Sequence, residues 1–287
     1  MKKVLIALSI IFMIVGFSLS FTALAMHKFN WEELANVKYV VNEYDFEETF
    51  TNVEITEISN DIEFYSLDEL EDAPVGINCR VVTKNGEKIS HEVKVEDNTL
   101  IIDTEDTSKW YEFFFGTKSK TKIYVNNLIF DNLKVKATTS DIKISDKFAF
   151  TNVEIKTTTG DINLKSAINS LEIETTTGDI TLTDINTLND VSIKVTTGDV
   201  NLKNITIVDD LIIKATTGDI TIKNSQAKNI KINVTTGDVD ATLIGQYSFD
   251  VDTSTGYKKY PKDSYSLTNK CYVRTTTGDI NIKIVVE

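Results

Sequence analysis

Residues 171–183 read Leu-Glu-Ile-Glu-Thr-Thr-Thr-Gly-Asp-Ile-Thr-Leu-Thr, and this pattern is repeated along most of the chain. Apolar residues take every second position on both sides of Thr-Thr-Gly-Asp, which is the periodicity of half-buried β-strands. Glycine adopts a positive φ at low cost and aspartate hydrogen-bonds nearby backbone groups, so this tetrad predicts a tight turn. Each unit is therefore predicted to form a strand, a turn and a second strand.

The tetrad recurs at intervals of 18 to 20 residues through five consecutive copies, and a sixth copy lies near the end of the chain. Looser copies stand at 138–141 and 254–257. A fixed period near 20 residues is typical of a solenoid. The predicted turn residues, to which we assign a structural role, are Gly160, Asp161, Gly178, Asp179, Gly198, Asp199, Gly218, Asp219, Gly237, Asp238, Gly278 and Asp279.

One such unit cannot bury its own apolar face, whereas units stacked in succession bury a shared core. Two further apolar positions in each period, such as Ile185 with Leu188 and Ile205 with Val208, indicate a third short side. We therefore predict an all-β fold: a right-handed, single-stranded β-solenoid of about 20-residue coils. An array of β-hairpins is the alternative.

The N-terminal segment predicts one transmembrane helix before the solenoid. Lys2 and Lys3 precede the uncharged run Val4–Ala25, which has about the length that spans a bilayer. Basic residues on this side alone place the N-terminus in the cytoplasm and the rest of the chain outside. Because Ala23-Leu24-Ala25 resembles a cleavage site, secretion after signal removal is the alternative. Both interpretations export the remainder of the chain.

Four regions follow from these patterns. They are an anchor or signal segment (1–26), a juxtamembrane segment (27–49), an acidic β region with a hairpin insertion and a cap (50–136), and the Thr-Thr-Gly-Asp solenoid (137–287). The hairpin is predicted at the turn Lys84-Asn85-Gly86, between the alternating stretches Ile77–Val82 and His91–Asp103.

The repeat itself begins before residue 137. Phe50-Thr-Asn-Val-Glu-Ile55 recurs letter for letter at Phe150–Ile155, and both copies are followed by an alternating stretch that starts with Asp. The aromatic run Trp110–Phe115 is predicted to plug an open end of the solenoid, because terminal repeats need a cap.

Charge is distributed unevenly along the chain. The net charge of −13 consists of −14 for residues 28–110, −1 for residues 111–287 and +2 at the N-terminus. Because there is no basic stripe, nucleic-acid binding is excluded. From Glu43 to Asp72 there are twelve acidic residues and no Lys or Arg. This stretch is either a solvated acidic face or a site for cations and cationic peptides.

An insertion follows the degenerate tetrad at 254–257. Loops that depart from a repeat often carry binding functions. The insertion is therefore a candidate for contact with glycans or anionic wall polymers, and a plain insertion over the last coils is the alternative. The candidate ligand residues are Tyr257, Lys258, Lys259, Tyr260, Lys262 and Tyr265.

Residue types for catalysis or metal binding are scarce. The chain has two histidines, His27 and His91, and two cysteines, Cys79 and Cys271, in no metal-ligand spacing. We predict unpaired or buried thiols rather than a disulfide. The turn aspartates come once per coil, too sparsely to enclose Ca²⁺ as densely repeated β-rolls do. No catalytic, metal or cofactor site is predicted.

Several features together resemble a known family. They are the anchor, the acidic start, Asp97-Asn-Thr-Leu100-Ile, the aromatic pair Trp110-Tyr111 and the repeated Thr-Thr-Gly-Asp-Ile. The chain resembles the bacterial putative-adhesin β-strand-repeat family, a domain of unknown function common in Gram-positive bacteria. The resemblance implies a membrane-anchored extracellular β-solenoid, with some members linked to sensing of envelope stress. It carries no catalytic residues over to this chain.

The predicted function is a non-enzymatic, membrane-anchored interaction scaffold or adhesin at the bacterial cell surface. Its expected partners are the membrane and a cell-envelope polymer or protein. The alternative is an envelope-stress sensor that binds cationic peptides through its acidic N-terminal region. A carbohydrate-active enzyme is the third hypothesis, which would require a pair of carboxylates in one groove.

Overall fold

The computed structural model describes residues 39–86, 89–106, 119–186, 188–262, 266 and 268–285. Its first strands, with one 3₁₀ turn at Leu67–Glu69, are β1 Tyr39–Phe46, β2 Asn52–Glu57, β3 Asp61–Ser66, β4 Cys79–Gly86, β5 Ile89–Glu96, β6 Thr99–Asp106, β7 Lys120–Val125, β8 Ile129–Thr139, β9 Ile142–Ile144, β10 Ala149–Thr159 and β11 Ile162–Leu164. The others are β12 Ala167–Thr177, β13 Ile180–Thr183, β14 Asp190–Thr197, β15 Val200–Lys203, β16 Asp210–Thr217, β17 Ile220–Ser225, β18 Asn229–Thr236, β19 Val239–Ile244, β20 Ser248–Thr255, β21 Lys258–Lys259, β22 Lys270–Thr277 and β23 Ile280–Val285.

These strands form two sheets that share one core. The strand that precedes each tetrad joins an eleven-stranded sheet, ordered β20-β22-β18-β16-β14-β12-β10-β8-β2-β6-β5, which we call the long-strand sheet. The strand that follows each tetrad joins a twelve-stranded sheet, ordered β1-β4-β7-β3-β9-β11-β13-β15-β17-β19-β23-β21, which we call the short-strand sheet. The predicted all-β architecture with parallel strands between coils is confirmed.

Stacked coils keep one register. In the long-strand sheet Leu171 lies beside Val191, which lies beside Leu211, which lies beside Ile230. Each of these side chains is 2% exposed or less, so every coil places its apolar positions in the same column. This matches the alternation that the sequence shows, because successive strand residues point to opposite faces.

A third short side, as predicted, closes the coils that follow β13, β15 and β17, although one of its residues was assigned wrongly. Ile185, Leu188 and Ile205 are buried, and Leu188 bridges to Ile207 of the next coil. Val208 is 59% exposed, so Ile207 rather than Val208 fills the core. The third side is entered through a left-handed corner, at which Asp184, Asn204 and Asn224 have φ of 58°, 53° and 48°. The corner shifts the alternation of inward and outward residues. The two-residue period of the strands therefore cannot be extended through it to predict which residues of the third side are buried.

The start of the repeat near residue 50 is confirmed. Strand β8 lies between β2 and β10, and Phe50, Phe130 and Phe150 stack in the core with ring centroids 6.1 and 5.3 Å apart. A matching column of asparagine side chains runs outside the core, since Asn132 donates to Asn52 at 2.7 Å and Asn152 donates to Asn132 at 2.9 Å. The repeated hexapeptide therefore marks equivalent positions in stacked coils.

Coils at the two ends do not stack in chain order. The β6–β7 coil lies outside the earlier β2–β3 coil, and the last coil, β22–β23, is inserted between β18–β19 and β20–β21. The expectation that successive units stack in succession is therefore wrong at both ends. The antiparallel strands β1, β4 and β5 extend the two sheets beyond the β6–β7 coil.

The hairpin predicted at Lys84-Asn85-Gly86 is not formed. Strand β4 pairs with β1 and β7 in the short-strand sheet, whereas β5 pairs with β6 in the long-strand sheet. The actual hairpin joins β5 to β6 through Asp97 and Asn98, both at positive φ (46° and 61°). Two successive left-handed residues suit the right-handed twist of paired strands. The Asn-Gly signal instead lies where the chain leaves one sheet for the other.

Three predictions fall outside the described residues. They concern the N-terminal anchor, the aromatic plug Trp110–Phe115 and Tyr265 of the candidate ligand loop. Among the residues that are described, no helix has the length and apolar character needed to cross a membrane. From Tyr39 onward the segment assigned as juxtamembrane already forms strand β1 of the short-strand sheet.

Candidate functional site

The loop between β20 and β22 lies at the end of the solenoid opposite to β1. Its residues divide into two groups. Tyr260 turns inward, with its ring 5.9 Å from that of Phe249, which lies 5.9 Å from Tyr247. Lys258 forms an ion pair with Asp252 at 2.8 Å. These contacts fold the loop over strand β20, so that the loop covers the end of the hydrophobic core.

The second group faces solvent. Tyr257 is 84% exposed, and Lys259 and Lys262 are exposed as well. Lys258 also remains exposed despite its ion pair with Asp252. The sequence grouped all six loop residues as one candidate site, and the structure presents four of the described five to solvent, with Tyr260 turned inward.

A groove of about 380 Å³ lies next to the end of this loop, on the third side of the last coils. Its apolar walls include Ile207, Val208 and Ile244, and its polar groups include Gln226, Lys228 and Asn269. The groove opens where the backbone pairing of the third side ends. Thr206 forms a bridge to Gln226 of the next coil. In the coil after that, the chain changes direction at Gly245, which has a φ of 101°. Sequence reasoning did not find this groove, because its walls come from three coils and a loop.

Tyr247 forms the floor of the groove and is 1% exposed. Its hydroxyl accepts a hydrogen bond from the Ala227 backbone N–H at 3.2 Å and donates to the Ile244 carbonyl at 3.3 Å. Burial raises the pKa of this phenol above its ordinary value. The hydroxyl therefore stays protonated and fixes the two coils that border the groove.

The turn aspartates form a continuous ladder along one corner of the solenoid. Each backbone N–H of the ladder donates to the Oδ1 of the aspartate in the neighbouring coil, at 2.7 to 2.8 Å from Asp161 through Asp279. Beside them the turn glycines have φ between 135° and 148°. No three carboxylate, histidine or cysteine side chains in the described part of the chain lie close enough together to hold a metal ion. These aspartates therefore have a structural role: their carboxylates accept hydrogen bonds from the backbone N–H groups of the neighbouring turns.

A buried polar cluster lies inside the solenoid near its β1 end. Glu57 is 1% exposed and occupies the inward position that Ala137 takes in the next coil. Its carboxylate contacts His91 Nε2 at 3.0 Å and accepts hydrogen bonds from Thr104 at 3.0 Å and Thr121 at 2.9 Å. The cluster therefore links β2, β5, β6 and β7 across both sheets.

The carboxylate of Glu57 remains ionised inside this cluster. Burial raises its pKa, but the hydrogen bond and charge of His91 together with the hydrogen bonds from Thr121 and Thr104 lower it further, so the net pKa lies below the ordinary value. Among the described residues, His91 Nδ1 and Thr83 Oγ1 have no hydrogen-bond partner. Sequence reasoning missed this cluster, although a glutamate at an inward position of the repeat is a signal that could have found it.

The acidic stretch Glu43–Asp72 does not form one surface. Arg80 contacts Glu43 at 3.3 Å and Asp45 at 2.6 Å. Three further glutamates of the stretch, Glu54, Glu63 and Glu69, form ion pairs with lysines of later strands or turns. Five exposed carboxylates have no ion-pair partner among the described residues. Asp68 accepts a hydrogen bond from the Ser66 side chain, and the other four are Glu47, Glu48, Glu71 and Asp72.

Both cysteines are free thiols, as predicted from their count and spacing. Cys79 lies in β4 and Cys271 in β22, at opposite ends of the molecule, and they are 0% and 1% exposed. Burial raises the pKa of both thiols to about 12. Neither cysteine has the environment of a reactive nucleophile.

The family model that describes Toastrack DUF4097 matches residues 50–283. Among solved structures, the chain is similar to a protein described as a putative adhesin from Bacteroides fragilis, at 17% identity and a TM-score of 0.50, covering 85% of this chain and 97% of that one. It is also similar to a protein described as a putative lipid binding protein from Parabacteroides distasonis, at 16% identity and a TM-score of 0.47, covering 86% and 97%. A comparison with curated proteins finds no match. At these identities the solved structures support the fold alone.

Proposed function

The chain belongs to the Toastrack DUF4097 family, and from this premise we propose that it is a non-enzymatic, adhesin-like interaction scaffold at the bacterial cell surface. Its uncharged N-terminal run would hold it in the membrane with the solenoid outside. The structural neighbour described as a putative adhesin supports a role of this kind. The stacked coils then act as a spacer, since the N-terminal segment enters near one end and the β20–β22 loop lies at the other.

The groove beside that loop carries the proposal. Its volume of about 380 Å³ falls in the range of small-ligand pockets. Apolar walls from Val208 and Ile244 suit the apolar faces of a sugar ring, while the side-chain amides of Gln226 and Asn269 suit its hydroxyl groups. Lys228, whose ammonium group lies 3.5 Å from the Asp209 carboxylate, would exchange that partner for a phosphate or carboxylate substituent of the ligand. The ligand class that fits these groups is a glycan-containing polymer of the cell envelope.

Binding of the purified full chain to isolated Gram-positive cell walls tests this proposal. The variant Val208→Arg places a long side chain in the groove and should weaken binding about tenfold or more. Val41→Arg is the matched control, because Val41 is 56% exposed and Val208 59% exposed, but Val41 lies in β1 at the opposite end. If both variants bind walls as the wild type does, the groove is not the binding site.

The second candidate function is an envelope-stress sensor. The observation in its favour is the set of unpaired carboxylates at Glu47, Glu48, Glu71 and Asp72, which a cationic peptide would neutralise. Because the other carboxylates of the stretch are engaged within the protein, the available surface is smaller than the sequence suggested. Loss of peptide binding in Glu47→Lys/Glu48→Lys, with wall binding retained, would support the sensor instead of the scaffold.

A further inference from the structure

The buried polar cluster around Glu57 leaves one nitrogen of His91 without a partner. Glu57 Oε2 accepts a hydrogen bond from Thr121 at 2.9 Å and lies 3.0 Å from His91 Nε2. An ionised carboxylate can only accept hydrogen bonds, so a neutral His91 carries its proton on Nε2 and keeps Nδ1 as an acceptor. No described group donates a hydrogen bond to Nδ1, although the side chain is fully buried.

Strand β4 adds two more unpaired oxygens to the same cluster. Thr83 and Asn85 are inward residues of β4, and both are 0% exposed. Thr83 lies beside Thr121 in the pairing of β4 with β7. The side-chain N–H group of Asn85 donates to the Ile89 carbonyl at the start of β5, which leaves its Oδ1 as a free acceptor. Neither Thr83 Oγ1 nor Asn85 Oδ1 has a hydrogen-bond partner in the described part of the chain.

The cluster also carries an uncompensated negative charge. Among the described residues, Glu57 is the one buried acid, and no lysine or arginine is buried. Its carboxylate stays ionised, since its pKa lies below the ordinary value. While His91 is neutral, the protein supplies no buried positive charge to balance it, and an unbalanced buried charge is costly. The cluster therefore lacks both hydrogen-bond donors and a cation.

We propose that Thr83, Asn85 and His91 together bind a small monovalent cation. Ammonium fits best, because its N–H groups can donate to the hydroxyl, the amide oxygen and Nδ1 at once. Potassium or sodium would be held by the two oxygens and would reach Nδ1 through a water molecule. The negative charge of Glu57 next to these groups favours any of the three ions.

The residue types at the site argue against other metal ions. Calcium and magnesium take carboxylate oxygens as ligands, and the single carboxylate here already accepts hydrogen bonds from Thr104, Thr121 and the Ile58 backbone N–H. Transition metals favour several imidazole or thiolate ligands, and among the described residues no three carboxylate, histidine or cysteine side chains lie close enough to hold a metal ion.

A cation at this position would join the two sheets at the β1 end of the solenoid, because Thr83 and Asn85 lie in the short-strand sheet and His91 lies in the long-strand sheet. The β20–β22 loop and its groove lie at the opposite end. Cation binding and ligand binding at the groove are therefore independent of each other.

Thermal unfolding of the full chain in detergent at pH 8 tests the proposal, with equal concentrations of ammonium, potassium, sodium or tetramethylammonium chloride. Tetramethylammonium is larger and has no N–H group, so it cannot replace the ion. We expect the Tm to be about 3 °C or more higher in ammonium or potassium than in tetramethylammonium. Thr83→Val should reduce this difference by about half or more. Thr157→Val, at a buried threonine of β10, is the matched control and should retain it.

Two further variants complete the test. Glu57→Gln removes the negative charge and should abolish the dependence of the Tm on the cation. The His27→Gln variant leaves His91 as the one histidine of the chain, and nuclear magnetic resonance at pH 8 should show its proton on Nε2 alone. Equal Tm values of the wild type in all four salts, or a difference that Thr83→Val and Glu57→Gln both retain, would overturn the proposal. So would a His91 ring that is protonated on both nitrogens at pH 8, since its own charge would then balance Glu57.

Discussion

The turn glycines show most directly how one residue type permits the stack. Gly198 has a φ of 143°, and a Cβ added there would lie 2.1 Å from the carbonyl oxygen of Gly178 in the neighbouring coil. The position therefore requires glycine twice over, once for its backbone conformation and once for the close approach of the next turn.

We expect Gly198→Ala to destabilise the protein by about 3 kcal/mol or more, because backbone atoms of two coils must separate. Gly76→Ala is a suitable comparison, since Gly76 also has a positive φ of 92° but a Cβ there meets nothing within 4 Å. Its cost should be only that of the left-handed conformation, about 1–2 kcal/mol. Urea unfolding of the two variants measures the difference. Equal losses would show that the close approach between turns does not matter.

Glu57 provides the second prediction at this scale. Glu57→Gln replaces one of the two acceptor oxygens that His91, Thr104 and Thr121 share by an NH₂ donor. At least one of these buried groups then faces a donor instead of an acceptor, so we expect a loss of about 3 kcal/mol. Glu54→Gln, three residues away on the exposed outer face, should cost less than about 0.5 kcal/mol. Thermal unfolding at neutral pH separates the two variants.

Glu57 also makes the stability of the folded protein depend on pH. Because the folded-state pKa of Glu57 lies below its ordinary value, its stabilising contribution is complete above about pH 4.3, the ordinary pKa of glutamate. The contribution is lost as the pH falls through the lower folded-state pKa. The wild type should therefore lose stability more steeply than Glu57→Gln below about pH 4. Parallel pH profiles of the two proteins would contradict this assignment.

At the scale of the strands, sequence patterns predicted the interior coils well and the ends poorly. The alternation around each tetrad gave the correct inward residues from β10 to β19, because a parallel stack repeats one environment. The end coils depend on which coil each strand joins, and alternation contains no information about that choice. The hairpin turn at Asp97-Asn98 was missed because it contains no glycine. The Asn85-Gly86 pair, which resembles a hairpin turn, lies instead where the chain passes from the short-strand sheet to the long-strand sheet.

The reactivity of the two thiols tests the strand order at the ends of the solenoid, because Cys79 lies in β4 and Cys271 in β22. Cys271 is only 16 residues from the end of the sequence, yet it lies in β22, between β18 and β20. Because both thiols are buried and have a raised pKa, we expect neither to react with an aromatic disulfide reagent in the native protein, and both to react in denaturant. Cys79→Ser and Cys271→Ser assign each signal. Fast reaction of Cys271 in the folded protein would mean that β22 is an outer strand.

For the whole molecule, composition and repeats predicted the class of fold and the position of the exceptional loop. They did not predict the groove beside Val208, since its walls become neighbours only after the coils stack and the loop folds back over the end.

The proposed scaffold presents its β20–β22 loop outside the cell. Labelling of Tyr257→Cys in intact cells with a membrane-impermeant maleimide tests it most directly, because Tyr257 is 84% exposed and both native cysteines are buried. We expect rapid labelling of the variant in intact cells and no labelling of the wild-type chain. Labelling of the variant only after the cells are lysed would contradict it.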